Sequence, residues 1–491
     1  MFKPSTNGIP HKWLVLAAVA MGVFLATIDG SIVNIALPTL VNSLHVPFAL
    51  VEWVVLAYLL TITTLMLSIG RLADMVGKKS LFLAGMIIFT TGSLLCGLST
   101  TIGYLIASRV IQAVGAALTM ALGTAIVTEA FPSEERGRAL GLNGLMVSLG
   151  IIIGPTLGGL LLEHFSWNWL FFVNLPVGLA GIIMVIRYVP ASIPGQSQRF
   201  DFPGGISLFA SLMCFLLALT LGQHGGFAQP FVLALMAGFV IFMAAFILIE
   251  LRTEQPLIDL TIFRSGLFSV NLITGFMAFI CNAGTTLLMP FYLQEARGFS
   301  PQQAGLMLAV VPLTVGIIAP ISGALSDKIG SRILTAFGLA VMTGGFFAVS
   351  TLAPDTSVAG YVLRFLPIGV GIGFFNSPNN SAVMGSVPRN RLGVASGLLS
   401  ITRTLGQTTG IALLGALWAS RTAYHSSAVL QGSATDAPVL AQVLGLQDSI
   451  SVLVIVISAA FLLSLWAFLH DRRLRRLAAQ QVPLTGSDPF I

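Results

Sequence analysis

A single carboxylate interrupts the first long apolar segment of the chain. Asp29 lies in the stretch LATIDGSIVNIALP, residues 25–38, with apolar residues on both sides. An ionised carboxylate at the centre of a membrane-spanning helix costs roughly 2.5–3.5 kcal/mol on insertion scales. A chain keeps such a group where it faces a cavity, has a partner, or takes up and releases a proton. Asp29 is therefore a candidate for each of these three roles, the binding and release of a proton among them.

Arg109 is the predicted partner of this carboxylate, because a buried guanidinium must also be paired or hydrated. Arg109 and Gln112 lie one helical turn apart in LIASRVIQAVGAA, residues 105–117, and so share one helix face. At 1.5 Å per residue, Asp29 and Arg109 both lie roughly 10–14 Å below the outer ends of their helices. A cation beside Asp29 would stabilise its ionised form. Depth does not fix which way each helix faces, so contact between the two, and a purely structural role for Arg109, are left open.

The elements that position these residues are predicted to be membrane-spanning helices. The chain has 491 residues, of which 56% are hydrophobic and 9% are charged, whereas soluble domains have about 25% charged residues. Long apolar segments recur from residue 12 to residue 469 and divide into fourteen predicted spans of an all-α, multi-pass protein of the cell membrane. With both termini in the cytoplasm, 19 of the 24 Lys and Arg residues fall on the inner side. The net charge of +6 thus reflects topology and contact with anionic lipids, not nucleic acid binding.

An internal repeat predicts how the spans are grouped. GRLADMVGKK, residues 70–79, recurs as GALSDKIGSR, residues 323–332, at an offset of 253 residues, and Arg109 matches Arg364 at an offset of 255. Matches in the same order at nearly one offset indicate a duplicated six-helix unit. We predict an N-terminal six-helix bundle at 12–188 and a C-terminal six-helix bundle at 269–469. Residues 203–250 are predicted to form an inserted helical pair, and residues 470–491 a basic cytoplasmic tail.

These motifs resemble those of the major facilitator superfamily and, within it, the 14-span drug:proton antiporters typified by quaternary-ammonium exporters. The resemblance extends over almost the whole chain and implies two six-helix bundles with the substrate site between them at the membrane midplane. It implies that Arg109 tunes proton transfer and that the repeated segment is a gate between inward- and outward-facing states. Met75 stands where the family carries a basic residue, so charge relay through that position is in doubt. The gating residues are Gly70, Asp74, Gly77, Lys78, Gly323, Asp327, Gly330 and Arg332.

A glycine-rich segment carries the evidence for the direction of transport. GIIIGPTLGG, residues 150–159, resembles the fifth-span motif that marks antiporters, which export, rather than uptake symporters. Glycines at every fourth position also give a flat stripe for close helix packing, whatever the family. Proline within the stripe removes one backbone donor and bends the helix. The motif residues are Gly150, Gly154, Pro155, Gly158 and Gly159.

Four polar residues within the predicted spans are candidates for lining a substrate cavity. They are Glu52, Gln112, Asn34 and Asn376. An interfacial carboxylate is the alternative for Glu52, and a hydrogen bond between packed helices is the alternative for the amides. Arg403, in the thirteenth predicted span, replaces acids that some relatives use to bind divalent cations, which argues against export of such cations.

Several function classes are excluded by what the sequence lacks. The six histidines are scattered without metal-ligand spacing, and Cys96, Cys214 and Cys281 lie in apolar segments without disulfide or metal spacing. Neither a Walker A loop nor an ATP-binding domain is present, so we expect no ATP, no metal, no cofactor and no enzymatic activity.

The prediction is therefore a proton-coupled antiporter that exports amphipathic, cationic drugs or toxic organic compounds across the cell membrane. A dedicated exporter of one endogenous metabolite, such as an antibiotic or siderophore, is the alternative within the same mechanism. A non-transporting sensor built on this fold would lack the gate motifs or add a soluble domain. The sequence leaves open the identity of the substrate and whether a periplasmic adaptor extends the path.

Overall fold

The structure is a computed structural model that describes residues 11–132, 135–191, 201–225, 228–253, 260–387, 392–426 and 434–480. These residues form sixteen α-helices, with short 3-10 segments at Leu260–Arg264 and Ala434–Asp436 and a π-helical turn at Tyr292–Ala296. The helices are α1 Lys12–Leu44, α2 Phe48–Val76, α3 Lys78–Gly97, α4 Ile102–Ala130, α5 Arg136–His164, α6 Trp169–Phe172, α7 Asn174–Tyr188, α8 Phe202–Gly225, α9 Pro230–Glu250, α10 Gly266–Phe291, α11 Pro301–Leu308, α12 Val310–Ile329, α13 Ser331–Val349, α14 Val358–Gly385, α15 Leu392–His425 and α16 Val439–Gln480.

The all-helical prediction agrees with this architecture, because a helix satisfies its own backbone hydrogen bonds in lipid. Within the described residues, twelve helical segments are long and apolar enough to cross a membrane, which is fewer than the fourteen expected. The segments not counted are α5 and α15, which are 29 and 34 residues long. In α5 the apolar stretch found among the described residues is the shorter Leu149–His164, and α15 carries several hydroxyl and amide side chains.

The helices pack as two groups with α8 between them. In the first group α1 packs on α4, α5 and α7, and α3 packs on α4; in the second, α10 packs on α15 and α13 packs on α14 and α16. The helix α8 packs along α9 and also contacts α2 of the first group and α15 of the second. Large apolar side chains of α9, such as Phe231 and Ile241, are exposed. The outer surface of this helix is therefore one that lipid would cover.

The two groups meet at one end of the molecule, which we call the closed end. It consists of the last few turns of α1, α5, α10 and α15, the π-helical turn that follows α10, and the first turns of α2 and α11. There Gln294 donates a hydrogen bond to the carbonyl of Ile35 (2.9 Å), and the rings of Phe48, Phe291 and Trp418 pack with centroids 5.0–5.6 Å apart. An apolar core of both groups runs through this contact without interruption.

Both copies of the sequence repeat form a tight turn between two helices. Gly77, between α2 and α3, has φ 101°, and Gly330, between α12 and α13, has φ 91°. These values lie in a region that glycine occupies freely and other residues rarely. The glycine spacing of the repeat is therefore explained by backbone geometry at two equivalent turns.

The repeat is less exact at the arginines. Arg364 lies in the first turns of α14, where its guanidinium donates to Thr351 Oγ1 (3.2 Å) and to the carbonyl of Gly360 (3.0 Å). Arg109, by contrast, is fully buried in the middle of its bundle. The two arginines match in sequence position but not in surroundings, because Arg364 is satisfied locally near a helix end.

Candidate functional site

Asp29 and Arg109 form a buried ion pair. Both residues are 0% exposed, and Arg109 Nη1 donates to Asp29 Oδ2. The second carboxylate oxygen, Oδ1, accepts from Gln112 Nε2 (2.7 Å) and Asn174 Nδ2 (2.9 Å). The contact that depth alone left open is therefore made. Three donors surround the carboxylate, an arrangement that holds a buried charge only if the donors stay in place.

The guanidinium of Arg109 is fixed on its other sides. Arg109 Nε donates to the carbonyl of Val54 on α2 (3.0 Å), and Nη1 also donates to Gln112 Oε1 (2.6 Å). The ring of Tyr58 lies under the guanidinium, with its centroid 4.0 Å from Arg109 Cζ. Tyr58 in turn donates its hydroxyl proton to the carbonyl of Ala26 on α1 (3.0 Å). The cation is thus positioned by three helices at once, α1, α2 and α4.

Gln112 connects the ion pair to α3. Its Nε2 donates to Ser93 Oγ (2.8 Å) as well as to Asp29, and its Oε1 lies 3.6 Å from the Cys96 thiol. A Cβ at Gly92 would overlap the backbone of Gln112, so the small residue is what lets α3 approach α4 so closely. The amide of Gln112 on α4 therefore donates hydrogen bonds to both α1 and α3 and connects these three helices.

The arrangement links the charge of Asp29 to the packing of the helices around it. A proton on Asp29 would remove its charge and leave Arg109 without a counterion, while loss of the proton restores the pair. In an interior of low dielectric constant, each of these changes alters the free energy of the packed helices that supply the donors. The network is therefore suited to linking protonation with movement of α1 against α2 and α4.

The glycine stripe of α5 packs on α1 as its spacing predicts. Ser31 donates its hydroxyl proton to the carbonyl of Gly150 (3.0 Å), and a Cβ at Gly154 would overlap Ser31 Oγ. A Cβ at Gly158 would press on Ile32 in the same way. At the end of the stripe, Gly159 faces the backbone of α11 at Pro301. The motif thus joins α5 both to its own bundle and to the opposite one.

Described contacts tie the first gating motif to neighbouring helices, and one of them is the hydrogen bond from Lys79 Nζ to the carbonyl of Ile186 on α7 (3.1 Å). Lys78, at the start of α3, forms an ion pair with Glu129 near the end of α4. Lys328 is exposed, and Arg332 is half-buried at the start of α13. The side chains of Asp74 and Asp327, and residue Gly70, lie outside the described side-chain positions. The gating role of this motif stays a prediction.

The four candidate cavity residues do not line a common open cavity in this conformation. Gln112 and Glu52 are both 0% exposed; the first is part of the ion-pair network, and the second is enclosed between α2 and α15. Asn34 donates to the carbonyl of Gly30 in its own helix (3.1 Å), so its amide is satisfied within α1. Asn376 is half-buried on α14. The sequence shows that these residues are polar and lie in apolar spans, but the direction in which each side chain points depends on how the helices pack.

Three residues of the network were not singled out from the sequence: Asn174, Ser93 and Tyr58. Asn174 belongs to the segment WNWLFFVNLPVG. This segment is recognisable as a motif, but the motif does not predict that the amide of Asn174 points toward α1. The helical break at Val173, between α6 and α7, places Asn174 in the first turn of α7. An isolated amide in an apolar span is the signal that could have identified it, since such groups are rarely left without partners in a membrane.

The fold and the buried ion pair are those of a membrane transporter, and comparison with known proteins identifies its family. The chain matches the Major Facilitator Superfamily over residues 19–411 and belongs to it. It is 36% identical over 416 residues to the riboflavin transporter RibZ of Clostridioides difficile, covering 84% of this chain and 90% of that protein. It is 33% identical over 413 residues to the multidrug resistance protein Stp of Mycobacterium tuberculosis, covering 83% of this chain and 77% of that protein.

A solved structure shows the same fold. A bacterial homologue of the human lysosomal transporter Spinster, in an inward-facing and unoccupied conformation, superposes with a TM-score of 0.65 at 18% identity, covering 93% of this chain and 98% of that one. The family and the relatives, rather than this structure, identify the chain as a multi-pass transporter of the cell membrane that carries small molecules, and not as an enzyme.

Proposed function

We propose that this transporter is a proton-coupled antiporter that exports amphipathic, cationic organic compounds. The observation that carries the proposal is the fully buried Asp29, whose carboxylate is held by Arg109, Gln112 and Asn174. Relatives named as a multidrug resistance protein and a multidrug transporter protein support the breadth of substrate, and the glycine-proline motif of α5 supports the direction of transport.

In the proposed cycle, Asp29 exchanges a proton for a substrate cation. In the outward-facing state Asp29 takes up a proton, and loss of its charge releases the cargo. In the inward-facing state the proton leaves, and the carboxylate is free to pair with Arg109 or to attract a cation. Because Arg109 stabilises the ionised form only where the pair is intact, the conformation that keeps α1 and α4 together favours release of the proton.

The proposed topology has fourteen spans with both termini in the cytoplasm. The lengths of α5 and α15, 29 and 34 residues, exceed the ~20 residues that a span requires, and the distribution of Lys and Arg supports the orientation. The closed end then faces outward. Labelling of single cysteines with a membrane-impermeant thiol reagent on whole cells tests this: a cysteine at Ser43 should react, and one at Lys328 should not.

Transport in everted membrane vesicles tests the role of Asp29. Substrate addition to vesicles with wild-type protein should produce proton movement, and Asp29→Asn should abolish it, because asparagine keeps a hydrogen-bond acceptor but cannot carry the proton. Glu163→Gln, which changes an exposed carboxylate at the end of α5, is the matched control and should behave as wild type. Undiminished exchange by Asp29→Asn would contradict the proposal.

Export of one dedicated metabolite is the second candidate, and the similarity to a protein named as a riboflavin transporter favours it. A single-substrate site predicts that unrelated lipophilic cations do not compete with the transported compound. Competition by several such cations, measured as inhibition of fluorescent-cation efflux from cells, favours the multidrug function instead.

A further inference from the structure

Glu52 is a second buried carboxylate, and its environment differs from that of Asp29. It lies one turn into α2 and is 0% exposed. Both of its carboxylate oxygens lack a hydrogen-bond partner within the described part of the chain. An ionised carboxylate in such surroundings would lose its hydration without compensation, so the neutral, protonated acid is the form that fits there.

The enclosure of Glu52 is formed by both helical groups. Gly415 of α15 is the residue opposite the carboxylate, and a Cβ at that position would overlap Glu52 Oε1. One turn before Glu52, Phe48 packs against Phe291 and Trp418 of the second group. The carboxylate is therefore dry because the two groups are in contact at the closed end, and parting of α2 from α15 would expose it to water.

No described charge compensates Glu52. Five helices pack against α2, and α10 lies nearby. Among the side chains that the structure describes on these six helices, the titratable or charged ones are Lys12 and Asp29 of α1, Lys78, Lys79 and Cys96 of α3, Tyr104, Arg109 and Glu129 of α4, Cys214 of α8, Cys281 of α10, and Arg403, Arg421, Tyr424 and His425 of α15. None of these lies within hydrogen-bonding or salt-bridge distance of Glu52, and Arg109 is paired with Asp29.

We propose that Glu52 is a second proton-binding site, occupied when the closed end is shut and emptied when the two helical groups separate there. On closure a hydronium ion of the adjoining water gives up a proton as one of its O–H bonds breaks, one carboxylate oxygen forms an O–H bond with that proton, and the neutral water that remains leaves. On opening the O–H bond breaks, the proton passes to water, and the hydrated carboxylate keeps the electron pair. The part that this site plays in transport rests on the proton coupling proposed above, to which it adds a proton linked to the gate.

Infrared spectroscopy of the reconstituted full-length protein tests the protonation state directly. Wild-type protein at neutral pH should show the C=O band of a protonated carboxylic acid in a water-poor site. Glu52→Gln should lose this band, whereas Asp29→Asn and the exposed control Glu163→Gln should retain it. Absence of the band from wild type, or its persistence in Glu52→Gln, overturns the proposal.

A distance measurement tests the link to the gate. Spin labels at Ser43 of α1 and Tyr424 of α15, both exposed near the closed end, report separation of the two groups in a background without the native cysteines. Because the closed form binds the extra proton, raising the pH should increase the open fraction of wild type.

The variants separate this proposal from that for Asp29. Glu52→Gln should stay closed across the same pH range, and Glu52→Asp, which keeps a carboxylate, should regain the pH dependence. Asp29→Asn should lose substrate-linked proton movement yet keep the pH-dependent distance, so that either proposal can fail alone. A pH response of Glu52→Gln equal to that of wild type overturns the role of Glu52.

Discussion

At the scale of single residues, the two buried carboxylates differ in how the free-energy cost of removing them from water is offset. The carboxylate of Asp29 accepts hydrogen bonds from Arg109, Gln112 and Asn174. Glu52 has no donor among the described residues and fits as the neutral acid. In the proposed cycle, the first group responds to loss of its partners and the second to arrival of water, and both events would accompany movement between helices.

The donor from α7 gives a prediction at this scale. Asn174→Ala removes one hydrogen bond to an ionised group, which should lower the free energy of unfolding by about 1.5–3 kcal/mol. Since the lost donor stabilised the carboxylate form, the pH profile of substrate-linked proton exchange should move to higher pH. Asn168→Ala is the control, because Asn168 donates to the carbonyl of Gly97 (2.8 Å) and not to Asp29. An unchanged pH profile in Asn174→Ala would mean that this amide serves packing alone.

At the scale of elements, small residues set how closely helices approach and where they turn. The stripe of α5 brings Ser31 of α1 into hydrogen-bonding distance of the α5 backbone. The equivalent turns at Gly77 and Gly330 join pairs of long helices with backbone angles that glycine tolerates. Both features follow from glycine spacing and were predictable from the sequence.

The turn at Gly330 can be tested without disturbing any contact. A Cβ there would meet no atom within 4 Å, so Gly330→Ala changes only the backbone strain, at a cost of about 1–3 kcal/mol. Gly344, within α13, has equally open surroundings, and Gly344→Ala should instead stabilise the helix by about 0.5–1 kcal/mol. Melting temperatures in detergent should therefore move in opposite directions, and equal shifts would refute the assigned strain.

At the scale of the whole molecule, the contacts of the closed end decide which side of the transporter is shut. The helix α11 of the second group packs on α5 of the first, and Gly305 faces the carbonyl of Pro155. Gly305→Ala would place a Cβ against this backbone atom, which cannot rotate away. Labels at Ser43 and Tyr424 should then report a larger open fraction. Gly316→Ala, whose Cβ would meet only Ile152 Cδ1 at 3.4 Å, is the control. A closed end unaffected by Gly305→Ala would show that α5 and α11 do not limit closure.

The sequence predicted helix type, the shared depth of Asp29 and Arg109 and the close helix packing at the glycines of α5, because these depend on spacing and depth along a helix. It did not predict the contribution of Asn174 or the enclosure of Glu52. Those depend on rotation of a helix about its axis and on contact between residues more than 300 positions apart, as for Glu52 and Gly415. Depth can be counted from a sequence, whereas direction is decided by packing.

The position of α8 and α9 has a mechanical consequence. The helix α8 contacts both α2 and α15, the two helices that enclose Glu52, and α9 presents apolar side chains to the surroundings along its length. When the two helical groups rock apart, α8 must slide against at least one of them, and α9 must displace the acyl chains behind it. The work of deforming the bilayer around α9 therefore contributes to the free-energy barrier of each cycle.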